Sequence, residues 1–282
     1  MRARAPLRID LAGGWSDIPP FARKEGGAVV SIAVSPRAHA VMVSDGGGVE
    51  VQYRLDLPSG TGLGSSASLT VAWLALLRWA THHDVSPAAI AEGACTVAGA
   101  VGVVGGKQDE YAAAFGGVNL FRFGDDVSVE PIDVRGLVER LVVCNSGVSR
   151  LSGEIHDAVW GAYQRGDSRV ARVLADLRDC ALDLARALRR RDSSRLAECM
   201  NRNWALQQEL HPSVTNPVLD RIIDAGRDAG ALAAKACGAG GGGCVVLLVP
   251  PGGRESVARH VRRAGGTVID VMPDNEGVTI ED

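Results

Sequence analysis

The sequence predicts an α+β fold from three observations. Short apolar segments bounded by Gly, Pro and Asp are mixed with helical patterns, without the strict alternation of a doubly wound sheet. A glycine-rich loop at 58–67 is followed at once by a helical segment that is apolar nearly all round and is therefore expected to be buried. Long helical patterns fill 152–210. The 282 residues suffice for one large or two modest domains with a sizeable core.

In the N-terminal part, apolar runs between turn residues predict strands at 7–11, 28–34, 38–44 and 49–53. The helix after the glycine-rich loop is expected to end near residue 82. A second helix at 88–97 begins beside Pro87, a residue that suits a first helical turn. Strands at 118–123 and 127–131 are predicted to form a hairpin.

The pattern changes after Arg135-Gly136, and we place a domain boundary near residue 138, between domains at 1–138 and 139–282. In the second part, strands are predicted at 141–144, 231–237, 244–249 and 268–271. Helices are predicted at 152–165, 168–191, 194–210, 217–228 and 255–264. The last ten residues are acidic, and we expect them to form a frayed tail.

Composition and charge exclude several classes of protein. A formal net charge of −3 gives no electrostatic reason to expect nucleic acid or an anionic membrane as a partner. No apolar run has the length that spans a bilayer, and residues 1–6 lack the apolar centre of a signal peptide. The six cysteines contain no C-x-x-C pair, which favours reduced thiols and a cytoplasmic location and makes a zinc site unexpected.

The loop Pro58-Ser59-Gly60-Thr61-Gly62-Leu63-Gly64-Ser65-Ser66-Ala67 is the most informative segment. Its three glycines remove side chains, so backbone N–H groups and the positive end of the following helix can face an anion. Ser65 and Ser66 add hydroxyl groups for phosphate oxygens or Mg²⁺. The loop lacks the Lys-Ser/Thr of a Walker motif and the G-x-G-x-x-G of a dinucleotide site. An ordinary glycine-rich turn with a serine N-cap is the alternative.

Three motifs in the same order resemble those of the GHMP kinases, which include galactokinase, homoserine kinase and mevalonate kinase. The loop at 58–67 is similar to their phosphate loop, 5–17 to their first motif and 235–244 to their third. The resemblance implies a GHMP kinase fold, with an N-terminal ribosomal-protein-S5-like domain, a C-terminal ferredoxin-like α+β domain and a glycine-rich loop at 237–244. It also implies ATP and Mg²⁺ as cofactors. The nucleotide-binding candidates are Pro58, Gly60, Gly62, Leu63, Gly64, Ser65, Ser66 and Ala67.

The segment Gly105-Gly106-Lys107-Gln108-Asp109-Glu110-Tyr111 resembles that of the D-glycero-D-manno-heptose 7-phosphate kinases, and the run from Gly14 to Pro20 is also similar to that of fucokinases. The resemblance implies phosphoryl transfer to a sugar or sugar phosphate, with the anomeric hydroxyl of a heptose 7-phosphate as the main acceptor. A free sugar such as fucose or a cyclitol is the alternative. A non-catalytic nucleotide- or sugar-sensing protein is a further alternative, and a homodimer is left open.

By the same resemblance, Asp109 is the candidate base, and Arg8 and Lys107 are candidates for stabilising the transferred phosphoryl group. A guanidinium stays charged and can hold two oxygens at once, which suits this role for Arg8. Alternatively, Asp109 caps the following helix, Arg8 is a surface arginine at a strand edge, and Lys107 is solvated or structural.

The acceptor-binding candidates are Trp15, Ser16, Asp17, Arg150, Gly240 and Gly241. A carboxylate such as Asp17 binds paired hydroxyls well, but it could instead stabilise the turn before Pro19-Pro20. Ser66 is the candidate Mg²⁺ ligand. Two departures from the family pattern bear on the cofactors. The stretch 95–102 lacks the glutamate that helps hold Mg²⁺ in many members, and the segment between 34 and the phosphate loop is short, which leaves nucleotide preference open.

Overall fold

Two antiparallel sheets organise the chain in a computed structural model that describes residues 1–44, 48–102, 105–149 and 153–281. The first sheet has the strand order β10-β1-β2-β4-β5, with β3 paired to β2, and the second has the order β7-β8-β6-β9. The first sheet contains β1 (Arg2–Ala12), β2 (Gly27–Ser44), β3 (Val49–Leu55), β4 (Val118–Phe123), β5 (Val127–Pro131) and β10 (Thr279–Glu281). The second contains β6 (Leu141–Asn145), β7 (Ala233–Ala236), β8 (Cys244–Leu248) and β9 (Thr267–Ile269).

Helices cover both sheets, and the α+β prediction is confirmed. The helices are α1 (Pro19–Glu25), α2 (Ser65–Ala80), α3 (Pro87–Ala100), α4 (Gln108–Phe115), α5 (Gly153–Gln164), α6 (Ser168–Arg189), α7 (Ser193–Leu210), α8 (Pro217–Asp228) and α9 (Arg254–Arg263). Short 3₁₀ turns occur at Val138–Arg140 and Pro212–Val214. No helix in the described ranges combines the length and the apolar character needed to cross a bilayer.

The central strands of the first sheet, β1, β2 and β4, are mostly buried, and their side chains point alternately to the two faces. On one face, Val29 and Phe121 pack with the apolar sides of α2, α3 and α4. On the other face, Ile9 and Val30 belong to a larger cluster that also contains α6, α7 and the strands of the second sheet. One continuous core therefore joins the two sheets, and α4 packs against β1 from the opposite face.

Two strand predictions merge in the structure. The segments predicted at 28–34 and 38–44 form the single strand β2, because a register shift opposite Pro6-Leu7 lets the chain pass Ser35 and Pro36 without leaving the sheet. Proline lacks an N–H group, and a bulge is where a strand can accept it. Helix α1 was not predicted. It is only seven residues long, too short for a periodic pattern to reveal.

The prediction of a frayed acidic tail is wrong. Strand β10 pairs with β1 at the edge of the first sheet. The chain before it is tied down by Asp274, whose side chain accepts hydrogen bonds from the N–H groups of Glu276 and Gly277 and forms an ion pair with Arg37. The tail thus returns from the second sheet to the first. The domain boundary near residue 138 stays a prediction.

A buried ion pair joins the two sheets. Lys235 on β7 and Asp10 on β1 are 0% and 1% exposed, and the Lys235 ammonium group lies 3.0 Å from Asp10 Oδ2 and 2.9 Å from the Asp10 carbonyl oxygen. Removing two charges from water is costly, so each of these groups depends on the other to remain inside the protein.

We expect Lys235→Met to lower the free energy of unfolding by about 3–5 kcal/mol, because it leaves the Asp10 carboxylate buried without its partner. The double variant Lys235→Met/Asp10→Leu should recover much of this loss, since an apolar pair removes both buried charges. Lys24→Met is the matched control, because the Lys24 side chain is 74% exposed. Urea denaturation measures all three variants, and a Lys235→Met protein as stable as the control would contradict the expectation.

Candidate active site

A cleft of about 600 Å³ lies where the phosphate loop, the end of β1, the start of α4 and the start of α5 meet. Eight of the seventeen site residues predicted from the sequence line it: Arg8, Trp15, Asp17, Gly62, Gly64, Ser66, Ala67 and Asp109. The predicted residues that do not line it, among those the structure describes, are Ser16, Pro58, Gly60, Leu63, Ser65, Lys107, Gly240 and Gly241. Arg150 lies outside the described residues.

The phosphate loop ends in an uncapped helix. Gly64 has a left-handed backbone (φ +76°) at the N-cap of α2 and supplies no capping side chain. The first turn bond of α2 runs from Ser68 N–H to Gly64 O. The N–H groups of Ser65, Ser66 and Ala67 have no acceptor within the described part of the chain. Free N–H groups at the positive end of a helix form a ready anion site.

The two serines differ in environment. Ser66 is exposed and lines the cleft, whereas Ser65 is 4% exposed and its hydroxyl lies 3.4 Å from Thr61 Oγ1 and 3.5 Å from the Pro58 carbonyl oxygen. Ser66 is therefore the hydroxyl that a ligand in the cleft can reach, and Ser65 stabilises the shape of the loop.

Arg8 and Asp109 form the central ion pair of the cleft. Arg8 Nε and Nη2 lie 2.7 and 2.6 Å from Asp109 Oδ1, and Nη1 donates to the Gly62 carbonyl oxygen at 2.6 Å. Arg8 is 3% exposed. Burial alone would lower the pKa of Arg8, but the carboxylates of Asp109 and Asp10 outweigh it and raise the pKa above its usual value. The guanidinium group is therefore a fixed positive charge.

Asp109 lies in the first turn of α4, and its side chain is 29% exposed. The N-cap of α4 is Lys107, which makes no side-chain cap hydrogen bond, so the alternative of a capping role for Asp109 is not supported. Glycine is favoured at position 64 by its φ of +76°, and an added Cβ would also lie close to the ion pair, 3.3 Å from Arg8 Cγ and 3.4 Å from Asp109 Oδ2. The phosphate loop therefore lies directly beside the candidate base.

Two further carboxyl groups lie beside Asp109. Asp17 is 2% exposed and accepts hydrogen bonds from Gln108, at 3.1 Å from the backbone N–H and 3.3 Å from the side-chain amide. Burial, with the nearby charge of Asp109, raises the pKa of Asp17 to about 7. The same two causes raise the pKa of Glu110 to about 8. Glu110 Oε2 is buried without a partner in the described chain. The ionisation of these carboxyl groups is thus sensitive to any cation that enters the cleft.

Trp15 lies at the wall of the cleft next to Asp17. Its backbone is left-handed (φ +82°), it is 3% exposed, and its ring stacks on His156 of α5 with centroids 4.4 Å apart. Ser16 stabilises this turn instead of facing the cleft. Its hydroxyl lies 2.7 Å from the Gly13 carbonyl oxygen and accepts a hydrogen bond from Ala28 N–H. Sequence analysis missed His156, which belongs to no recognisable motif.

Lys107 is turned away from the cleft. Its ammonium group lies 2.8 and 2.9 Å from the two oxygens of Glu92, whose Oε1 also accepts a hydrogen bond from Tyr111. Lys107 and Glu92 line a separate, neighbouring pocket. The structure therefore does not bring Lys107 together with Asp109.

The third motif reaches the cleft through Gly238 and Ala239, and not through the predicted Gly240 and Gly241. Gly241 N–H donates to the Val214 carbonyl oxygen at 2.6 Å, and an added Cβ at Gly240 would lie 2.5 Å from the same oxygen. These glycines let the loop pack closely on Val214, so their backbone groups are used inside the protein.

The cleft carries oxygen donors of the kind that Mg²⁺ uses beside a nucleotide. No group of three or more His, Cys, Asp and Glu residues that could hold a metal exists in the described ranges. Mg²⁺ at phosphoryl-transfer sites uses one or two carboxylates together with phosphate oxygens and water. Ser66 and Glu110 both line the cleft, and Glu110 Oε2 has no partner among the described residues. A hydroxyl and a carboxyl group are donors of the kind that Mg²⁺ prefers.

Comparisons with known proteins agree with this geometry. The family models for the GHMP kinases N terminal domain and GHMP kinases C terminal match residues 30–117 and 184–267. The D-glycero-alpha-D-manno-heptose 7-phosphate kinase of Campylobacter jejuni is 26% identical, over 99% of this chain and 98% of that protein. The mevalonate kinase of Pyrococcus horikoshii is 30% identical, over 83% of this chain and 69% of that protein.

Among solved structures, a D-glycero-D-manno-heptose 1-phosphate kinase from Bacteroides thetaiotaomicron superimposes with a TM-score of 0.79 at 22% identity, over 100% of this chain and 99% of the other. This likeness shows the shared fold. Together with the matches to both family models and the identity to relatives over most of the chain, it leads to one conclusion: the chain belongs to the GHMP kinase family.

Proposed function

We propose that this protein transfers the γ-phosphoryl group of ATP to a hydroxyl group of a sugar or sugar phosphate, with the anomeric hydroxyl of a heptose 7-phosphate as the acceptor. One observation carries the proposal. A carboxylate held by a buried guanidinium group, Asp109 with Arg8, faces the free N–H groups of an uncapped helix across one cleft. The similarity to a heptose 7-phosphate kinase over nearly the full length of both chains supports the choice of acceptor.

The nucleotide phosphates would lie at the start of α2. The N–H groups of Ser65, Ser66 and Ala67 would donate hydrogen bonds to the phosphate oxygens, and the left-handed Gly64 lets the loop approach without a side chain. Ser66 would be the protein hydroxyl on Mg²⁺, with the carboxyl groups of Asp109 and Glu110 in the same cleft. Mg²⁺ would neutralise charge on the phosphate oxygens during transfer.

Asp109 would act on the acceptor. Its carboxylate accepts the proton of the attacking hydroxyl as the bond from that oxygen to the γ-phosphorus forms and the bond to the leaving ADP oxygen breaks. Arg8 keeps its charge because it is buried beside two carboxylates, so it can hold Asp109 in place and stabilise charge on the transferred group. Asp17 and Trp15 would hold the rest of the sugar.

The alternatives differ in the acceptor or in the activity. A free sugar such as fucose or a cyclitol would use the same Asp109 and Asp17. A non-catalytic sensing protein would not require the Arg8–Asp109 ion pair, and the presence of this pair favours the enzyme.

The homodimer stays a prediction, which light scattering on a sizing column would test.

The first expected outcome concerns the reaction. ADP release with D-glycero-D-manno-heptose 7-phosphate should exceed that with the free heptose or with L-fucose. Asp109→Asn should lower kcat by about 10²–10⁴, because the amide cannot accept the proton, and should change the KM for ATP little. A wild-type protein that releases no ADP with any acceptor, while still binding ATP, would instead favour the sensing protein.

The second expected outcome concerns the metal. Ser66→Ala should raise the Mg²⁺ concentration that gives the half-maximal rate by about threefold or more, since water can replace only part of a lost ligand. Ser65→Ala is the matched control, because the Ser65 hydroxyl contacts the loop and not the cleft. Equal Mg²⁺ requirements in the two variants would argue against Ser66 as a ligand.

The third expected outcome concerns pH. The pKa of Asp17 is raised to about 7, so its carboxylate is lost to protonation as the pH falls below 7, and with it the acceptor for sugar hydroxyl protons. We expect kcat/KM for the sugar to fall below pH 7 by up to about tenfold per pH unit. Asp17→Asn should be less active but should lose this dependence, whereas Glu110→Gln should keep it. A pH profile unchanged in Asp17→Asn would assign the titration to another group.

A further inference from the structure

Two residues that line the cleft, Trp15 and His156, each have a buried ring nitrogen with no hydrogen-bond partner in the described part of the chain. Trp15 Nε1 and His156 Nδ1 are both buried, and neither meets an acceptor or donor among the described residues. Both residues line the cleft, and their rings stack with centroids 4.4 Å and planes 23° apart. A buried indole N–H can only donate, and folded proteins rarely leave such a group unpaired, so it is satisfied best by a ligand.

The position of Trp15 is itself imposed by the surrounding structure. A bulky residue rarely has a positive φ, yet Trp15 has φ +82° and is 3% exposed. The loop around it is held by Gly13 N–H, which donates to Asn203 Oδ1, and by the Ser16 hydroxyl on Gly13 and Ala28. The indole ring is therefore set against the cleft before any ligand arrives.

His156 complements Trp15. Burial lowers the pKa of His156, so its ring is neutral near pH 7 and carries a single N–H. The neutral imidazole ring, stacked on the indole ring, adds a second polar group beside Trp15 Nε1. Asp17, which also lines the cleft, adds a carboxyl group that accepts hydrogen bonds. Three residues with polar groups thus line one part of the cleft, and a few placed polar groups are what orients a ligand in a pocket.

Trp160 provides a comparison for Trp15 and His156. Its Nε1 is also buried and unpartnered, and its ring lies 6.4 Å from that of Trp15, but Trp160 does not line the cleft. Of the three residues, Trp15 and His156 line the cleft together with Asp109, and Trp160 does not.

We infer that Trp15 Nε1–H and His156 Nδ1 together bind one oxygen of the acceptor other than the oxygen that is phosphorylated, and that this contact determines which acceptor the enzyme selects. The oxygen has free lone pairs and belongs either to a sugar hydroxyl or to the phosphate that the acceptor already carries. This inference rests on the proposed function, since it assumes a sugar acceptor in the cleft.

The test removes each nitrogen and retains the ring contact. Trp15→Phe and His156→Phe should each raise the KM for D-glycero-D-manno-heptose 7-phosphate by about tenfold, since a lost hydrogen bond to a ligand leaves its oxygen unpaired. In both variants kcat should change less than KM, and the KM for ATP should stay within about twofold. Trp160→Phe is the matched control and should retain the wild-type KM for the sugar.

Calorimetric titration of the heptose 7-phosphate into the protein with a non-hydrolysable ATP analogue gives a second readout that does not need turnover. If the oxygen belongs to the existing phosphate, both Phe variants weaken binding of the heptose 7-phosphate and leave binding of the free heptose unchanged. If the oxygen belongs to a hydroxyl, both sugars lose affinity in the variants by the same factor.

The two proposals fail in different ways. A wild-type protein that phosphorylates a sugar while both Phe variants keep its KM and affinity would overturn this inference and leave the proposed function standing. A variant effect no larger than that of Trp160→Phe would do the same. A wild-type protein that binds no sugar at all, with or without the nucleotide analogue, would overturn both.

Discussion

The buried guanidinium group of Arg8 is the contact on which the candidate site depends. Its side chain joins the Gly62 carbonyl oxygen of the phosphate loop to the Asp109 carboxylate of α4, and its backbone N–H donates to the Leu63 carbonyl oxygen. One residue thus fixes the distance between the anion-binding loop and the candidate base. Because the group is 3% exposed and keeps its charge, the geometry does not depend on a mobile surface contact.

The electrostatics of the cleft follow from burial. Asp17, Asp109 and Glu110 lie close enough that the charge of Asp109 raises the pKa of both neighbours, while Arg8 compensates only part of the negative charge. A Mg²⁺–nucleotide would supply positive charge beside these carboxyl groups and favour their ionised forms. Without a bound cation, the positive charge in the cleft therefore compensates only part of the charge of these carboxyl groups, which is typical of a site that binds a cation together with its ligand.

The sequence predicted those features of the site that depend on residues within one short segment. The glycines of the phosphate loop predicted a close approach of backbone to anion, and Gly64 has the left-handed backbone that only glycine adopts easily. Asp109 was predicted from the segment that carries it. The two errors have physical reasons. Pro36 was expected to end a strand, but a bulge lets β2 continue through it. The acidic tail was expected to be frayed, but it pairs with β1, whose edge would otherwise have unpaired backbone groups.

The sequence by itself determined the fold class, the family resemblance and the loop that can bind an anion, because these depend on residues close together in the chain. Only the tertiary structure decided which candidates share the cleft. Arg8 meets Asp109 across 101 positions of the chain, and Lys235 meets Asp10 across 225. In the tertiary structure, Lys107 also forms an ion pair with Glu92, and His156 stacks on Trp15. The direction and the partner of a side chain depend on how distant elements pack, and local patterns do not encode that packing.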